Sequence, residues 1–121
     1  MTIEHSEMVK TLAKPGKTIV EEMTPEKAHF LHMAGCMAEE AGEVFGVIKK
    51  HIFYNKPLTA EMLDKITNEL GDLEFYMEGL RQGLGISRDE VIEANIKKLV
   101  TGPNARYKAG SYSDDAANAR T

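Results

Sequence analysis

The chain has 121 residues, a formal net charge of −4 at pH 7 and a single cysteine, Cys36. That length is one ordinary domain, and a sequence 42% hydrophobic and 28% charged is globular rather than disordered. The acidic balance argues against a general binder of nucleic acid or anionic membrane, which needs a basic surface. A lone cysteine excludes an intramolecular disulfide and a four-cysteine zinc site. Met1-Thr2-Ile3-Glu4-His5 shows no basic region followed by an apolar run, so a cytoplasmic location is the expectation.

In chain order, a short helix is predicted near Glu4–Ala13, ending at Lys14-Pro15-Gly16. Thr24-Pro25-Glu26 reads as a helix start: Thr caps, Pro suits the first helical position, and Glu suits the positive helix end. Phe30, Met33, Ala34, Met37, Ala38, Ala41, Val44, Phe45 and Ile48 then recur at helical intervals. This helix is predicted to run to about His51 or Phe53, before Asn55-Lys56-Pro57 breaks it. Thr59 caps the next, whose apolar stripe is Met62, Ile66, Leu70, Leu73, Met77 and Leu80, closed by Gly83-Leu84-Gly85. Ser87-Arg88-Asp89-Glu90 forms a capping box before Val91, Ile92, Ile96, Leu99 and Val100, and Gly102-Pro103 stops the pattern. Strand signals are almost absent. The expectation is one all-α domain over 1–121, a four-helix bundle of antiparallel helices with short connections. Its core spans about 24–107, with a loop-like or arm-like tail over 108–121. The methionines Met33, Met37, Met62 and Met77 read as core filler, and Cys36 as an inert core thiol.

Two acidic pairs interrupt the most apolar helices: Glu40 with Glu43, preceded by Glu39, and Glu69 with Asp72. A spacing of i, i+3 puts both carboxylates of a pair on one helix face. The 25 residues between Glu43 and Glu69 suffice to finish one helix, turn and return antiparallel, so the pairs can face each other. Glu69 and Asp72 flank the apolar stripe instead of lying opposite it, as purely solvating charges would. Four carboxylates converging inside a bundle repel and are costly to desolvate. A divalent cation removes both difficulties, and oxygen-only ligation selects Mg²⁺ or Mn²⁺. Gly42 and Gly71, each one residue before an acid, read as space cleared beside the metal. Close helix packing is the other reading, and it serves Gly35 and Gly46 equally well.

At these residues the sequence resembles the MazG-like nucleotide pyrophosphohydrolases of the all-α NTP pyrophosphatase superfamily. The resemblance rests on Glu40-x-x-Glu43, a spacer of one helix-turn-helix, and Glu69-x-x-Asp72. It extends over Phe30–Val44, Ile48–Tyr54, Asn68–Leu73, Gly85-Ile86-Ser87, Glu93–Leu99 and Arg106-Tyr107. It implies a Mg²⁺-dependent hydrolase, with Mn²⁺ as a possible substitute. Attack of a metal-activated water would cleave a nucleoside triphosphate between its α and β phosphates, releasing the monophosphate and pyrophosphate. It implies Glu40, Glu43, Glu69 and Asp72 as metal ligands, and Asn95 and Lys98 as nucleotide contacts. Glu39 is a candidate general base or a support for the ligands. Lys50 or Lys49 can reach phosphate, and Arg106 and Tyr107 either bind substrate or close the fold. The resemblance also implies a homodimer or homotetramer.

Other readings compete. Glu26-x-x-His29 is half of a di-iron motif, but no second Glu-x-x-His follows. His29 and His32 are spaced to chelate zinc or to sit in a packed face. Gly85-Ile86-Ser87 is spaced like the turn of a DNA-binding helix-turn-helix, yet the helix that follows carries Asp89, Glu90 and Glu93. A phosphoribosyl-ATP pyrophosphatase and a non-catalytic helical oligomerisation module are the alternatives to the NTP hydrolase.

Overall fold

A computed structural model describes residues 2–107 and shows only helices among them. They are α1 (His5–Leu12), α2 (Gly16–Glu22), α3 (Pro25–Phe53), α4 (Ala60–Leu84) and α5 (Arg88–Ile96), followed by a π-helical turn, Lys97–Thr101. No helix is long and apolar enough to cross a membrane. The tail expected over 108–121 lies outside the described residues.

The helix ends follow the local chemistry of the chain. Thr24 accepts a hydrogen bond from the Lys27 amide (3.1 Å) with Pro25 at the first helical position. Thr59 accepts from the Met62 amide (3.2 Å). Ser87 and Glu90 form the reciprocal capping box, at 3.1 and 3.3 Å. Gly85 ends α4 at φ 69°, in the left-handed region that glycine enters without steric cost. Between α3 and α4, Asn55 turns the chain at φ 51°, and the Lys56 carbonyl lies 2.7 Å from His51 Nδ1.

Two elements depart from the expected pattern. Lys14-Pro15-Gly16 ends the first helix but also starts α2: Pro15 is its cap residue, and its carbonyl accepts from the Ile19 amide (3.1 Å). A proline that cannot continue one helix is well suited to precede the next. The last helix also widens into a π turn before Gly102, whose amide donates to the Lys97 carbonyl at 2.8 Å. A Cβ on Gly102 would collide with that carbonyl, so the turn requires glycine.

Among the described residues α3 and α4 pack as a two-helix hairpin, and apart from it only α5 and the π turn pack extensively on each other, so one chain does not show the expected four-helix bundle. The hairpin contacts run in opposite residue order, from His29 against Gly79, through His32 against Tyr76, to Glu40 against Glu69 and Asp72. Met33 is the only buried apolar residue among those described, at 7% exposure. Leu70 (46% exposed) and Phe45 (56%) lie outside the seam, although the helical pattern marked them as core. A single neighbouring helix covers only one narrow stripe of each apolar face.

The tight end of the seam depends on Gly79 and Gly83. A Cβ at Gly79 would meet Met33 Sδ, and one at Gly83 would press on the His29 and Phe30 rings. His29 Nε2 lies 2.8 Å from the Gly79 carbonyl and ties the two helices together. A Cβ at Gly35, Gly42, Gly46 or Gly71 would meet nothing within 4 Å, so close packing within the chain explains none of them. Gly83→Ala is expected to lower the melting temperature, because overpacking costs about 1–3 kcal/mol. Gly71→Ala is expected to raise helix stability by about 1 kcal/mol. Thermal unfolding of the two variants side by side checks the contrast.

Candidate metal centre

α3 and α4 each feed a line of side chains into the seam. From α3 come Met33, Cys36, Met37, Glu40 and Val44; from α4 come Ile66, Glu69, Leu73, Tyr76 and Leu80, all buried or half-buried. Glu40 and Glu69 therefore occupy positions whose neighbours along the helix are packing residues. Asp72 stands beside them and is exposed. One carboxylate oxygen from each of Glu40, Glu69 and Asp72 lies within 4.8 Å of the others.

This convergence is electrostatically unfavourable without a cation, and Glu40 carries most of the burden. Its pKa is pushed up from 4.5 to about 7. The largest cause is hydrogen bonding to the Glu69 carboxyl, followed by burial and then by the charges of Asp72, Glu69 and Glu39. Glu40 Oε2 is out of contact with solvent and has no hydrogen-bond partner. A shielded carboxylate oxygen with no donor, facing two further carboxylates, fits a hard divalent cation. All three donors are oxygen, which suits Mg²⁺ or Mn²⁺.

A profile of the MazG nucleotide pyrophosphohydrolase domain matches residues 29–105. The chain belongs to the MazG nucleotide pyrophosphohydrolase family. No curated protein and no solved structure matches it significantly. The matched MazG segment begins at His29, at the tight end of the seam, and contains all three clustered carboxylates.

The remaining predicted site residues are distributed more widely. Glu43 is exposed and outside the cluster of three. Three residues along a helix rotate about 300°, which sets Glu43 on the flank of α3, whereas Val44 continues the packed line. Glu39 is exposed and acts on Glu40 through its charge. Lys50 is exposed in the last turn of α3. Asn95 on α5 and Lys98 in the π turn are exposed, and neither element packs extensively on the hairpin. The backbone amides of Arg106 and Tyr107 donate to the Lys98 and Leu99 carbonyls, at 3.2 and 2.9 Å, which folds this segment back onto the π turn.

Two neighbours of the cluster escaped the sequence reading. Tyr76 stands one turn after Asp72, and Cys36 one turn before Glu40. The influence of Cys36, then burial, then a hydrogen bond between the two side chains and the charges of Glu40 and Asp72 all raise the Tyr76 pKa. The His32 ring lies edge-on to Tyr76, with centroids 6.0 Å apart. The i, i+4 spacing to known acids was the available signal, but Cys36 was read as an inert core thiol and Tyr76 falls outside the apolar stripe of Met62, Ile66, Leu70, Leu73, Met77 and Leu80.

A raised carboxyl pKa favours folding only while the group is protonated. Its contribution is fully present below about pH 4.5 and is lost as the pH rises through about 7. In EDTA, Glu40→Gln is therefore expected to melt higher than the wild type at pH 8, with the difference shrinking towards pH 5. Melting curves at both pH values provide the check.

Proposed function

We propose that the protein hydrolyses nucleoside triphosphates, either deoxynucleotides or non-standard nucleotides, to the monophosphate and pyrophosphate with Mg²⁺. The observation that carries this reading is the meeting of Glu40, Glu69 and Asp72 across the α3–α4 seam, inside a MazG nucleotide pyrophosphohydrolase domain. These three residues would hold the cation, and Glu43 would join them from the flank of α3. Bound there, Mg²⁺ or Mn²⁺ would neutralise phosphate charge and make water a better nucleophile at neutral pH. Glu39 lies beside this group with its carboxylate exposed, where it can accept a proton from attacking water. Lys50, Asn95, Lys98, Arg106 and Tyr107 are proposed to bind the nucleotide. Lysine suits phosphate as a mobile point charge.

The active species is proposed to be a cytoplasmic homodimer or homotetramer. A lone hairpin provides two helices of an antiparallel four-helix bundle, and a second copy would provide the rest. In that assembly the α5 residues of either copy are available to the carboxylates.

The test is release of pyrophosphate from a panel of canonical and modified NTPs and dNTPs, with Mg²⁺, Mn²⁺ or EDTA. Release of equal amounts of pyrophosphate and monophosphate, abolished by EDTA, is expected for some members. Silence across the panel from folded protein would overturn the reading. Asp72→Asn and Glu69→Gln are each expected to lower kcat by roughly two orders of magnitude or more, with helicity by circular dichroism unchanged.

A further inference from the structure

Directly after its last helical turn the chain folds back, and Gly102 to Ala105 turn it. Proline lacks an amide hydrogen and disfavours a helical conformation in the residue before it. Gly102, ahead of Pro103, accordingly leaves the helix at φ −76° and ψ 163°. Its carbonyl accepts from the Ala105 amide at 3.1 Å, which closes a four-residue turn with Pro103 at the second position, where proline is favoured. The chain then lies alongside the π turn. The Arg106 amide donates to the Lys98 carbonyl at 3.2 Å, and the Tyr107 amide to the Leu99 carbonyl at 2.9 Å.

Gly102 also closes the π turn itself. Its amide reaches the Lys97 carbonyl, five residues back, at 2.8 Å. A Cβ on Gly102 would lie 2.5 Å from the Lys97 carbonyl oxygen and 2.9 Å from Lys97 Cγ. The carbonyl belongs to the backbone and cannot move aside without opening the turn. The negative φ of Gly102 is open to any residue, so glycine is required here for space alone. Single π turns are rare and occur frequently at functional sites.

This arrangement joins two cations that a continuous helix would separate. Unbroken α-helix would carry Arg106 about 12 Å beyond Lys98 along the axis. Instead their backbones are in hydrogen-bond contact, and both residues are exposed. Neither forms an ion pair among the described residues. Lys97 differs, because it lines a cavity of about 380 Å³ with Asp89 and Glu93, whose charges oppose an anion there. Two uncommitted cations on adjacent backbone suit a ligand carrying several negative charges in a row. Phosphate accepts both the point charge of lysine and the planar fork of arginine.

We propose that Gly102 is a positioning residue for the triphosphate: by closing the π turn it holds Arg106 beside Lys98, and the two cations together bind the phosphate chain of the nucleotide. Gly102 itself touches no substrate and acts through this pair. The inference rests on the nucleotide hydrolysis proposed above for the identity of the ligand, whereas the placement of the two backbones follows from the turn alone.

The experiment uses the full-length protein and measures affinity for inorganic tripolyphosphate with Mg²⁺ by calorimetry, together with kcat and KM for a nucleotide that is turned over. Gly102→Ala is expected to weaken tripolyphosphate binding and to raise KM at least tenfold, with kcat changed less than threefold, the split produced when ground-state and transition-state binding are lost together. Lys98→Ala with Arg106→Ala is expected to weaken binding at least as much. Adding Gly102→Ala to that pair is expected to change it less than twofold, because residues acting as one unit are not additive. Hydrogen exchange at the Arg106 and Tyr107 amides is expected to quicken in Gly102→Ala, with α3–α4 helicity retained. If Gly102→Ala does not fold, Ala105→Pro, which removes the amide donor of the turn, carries the same expectations. Unchanged binding in the single variants would overturn the inference. So would a loss from Gly102→Ala that persists in full without the two cations, or a wild type that does not bind tripolyphosphate. A wild type that binds it in this Gly102-dependent way, yet releases pyrophosphate from no nucleotide, would overturn the hydrolase reading alone and uphold this one.

Discussion

The fold turns on one seam, the antiparallel contact between α3 and α4, and on the charges placed within it. At one end, Gly79 and Gly83 let the helices approach until Met33 and the His29 and Phe30 rings fill the space, and the His29–Gly79 bond ties them together. Further along the seam, Glu40 and Glu69 occupy positions where apolar side chains would otherwise pack, and Asp72 stands beside them. The Glu40 pKa is raised to about 7 by hydrogen bonding to Glu69, by burial and by neighbouring charge acting together, and such combined shifts cluster at functional sites.

A two-helix seam is too little to make a core. Met33 is the only buried apolar residue described, while Leu70, Phe45 and the apolar faces of α1, α2 and α5 remain open. Each helix is amphipathic over a width that one neighbour cannot cover. Glu40, Glu69 and Asp72 meet within one chain, whereas Asn95 and Lys98, expected to contact the nucleotide, lie on α5 and the π turn, which do not pack extensively on the hairpin. The carboxylate cluster is thus local to the hairpin, while most of the apolar surface stays uncovered by it.

The sequence was most legible where a few adjacent residues decide the outcome. Thr24, Thr59 and Ser87 cap helices because their hydroxyls answer free amides within three residues, and Gly85 stops α4 because it can adopt a positive φ. The pairing of Glu40 with Glu69 and Asp72 was legible because periodicity and spacer length together bring those positions to one level. Legibility failed where one feature carried two meanings. Pro15 ends α1 and begins α2. The glycines inside the acidic pairs look like packing or clearance positions, but the close approach is made at Gly79 and Gly83.

What the sequence alone determined is the all-helical character, the boundaries of the long helices and the family, since each follows from short-range patterns of capping, periodicity and acid spacing. Only the tertiary structure decided which acids meet. A helix angle of 100° per residue leaves Glu43 on the flank while Glu40 enters the seam, and a difference that small is settled by how α4 lies against α3. The tertiary structure also brought Tyr76 and Cys36 to the carboxylates and left Arg81 buried without a full set of partners. Those outcomes depend on contacts between residues some forty positions apart, which no local pattern encodes.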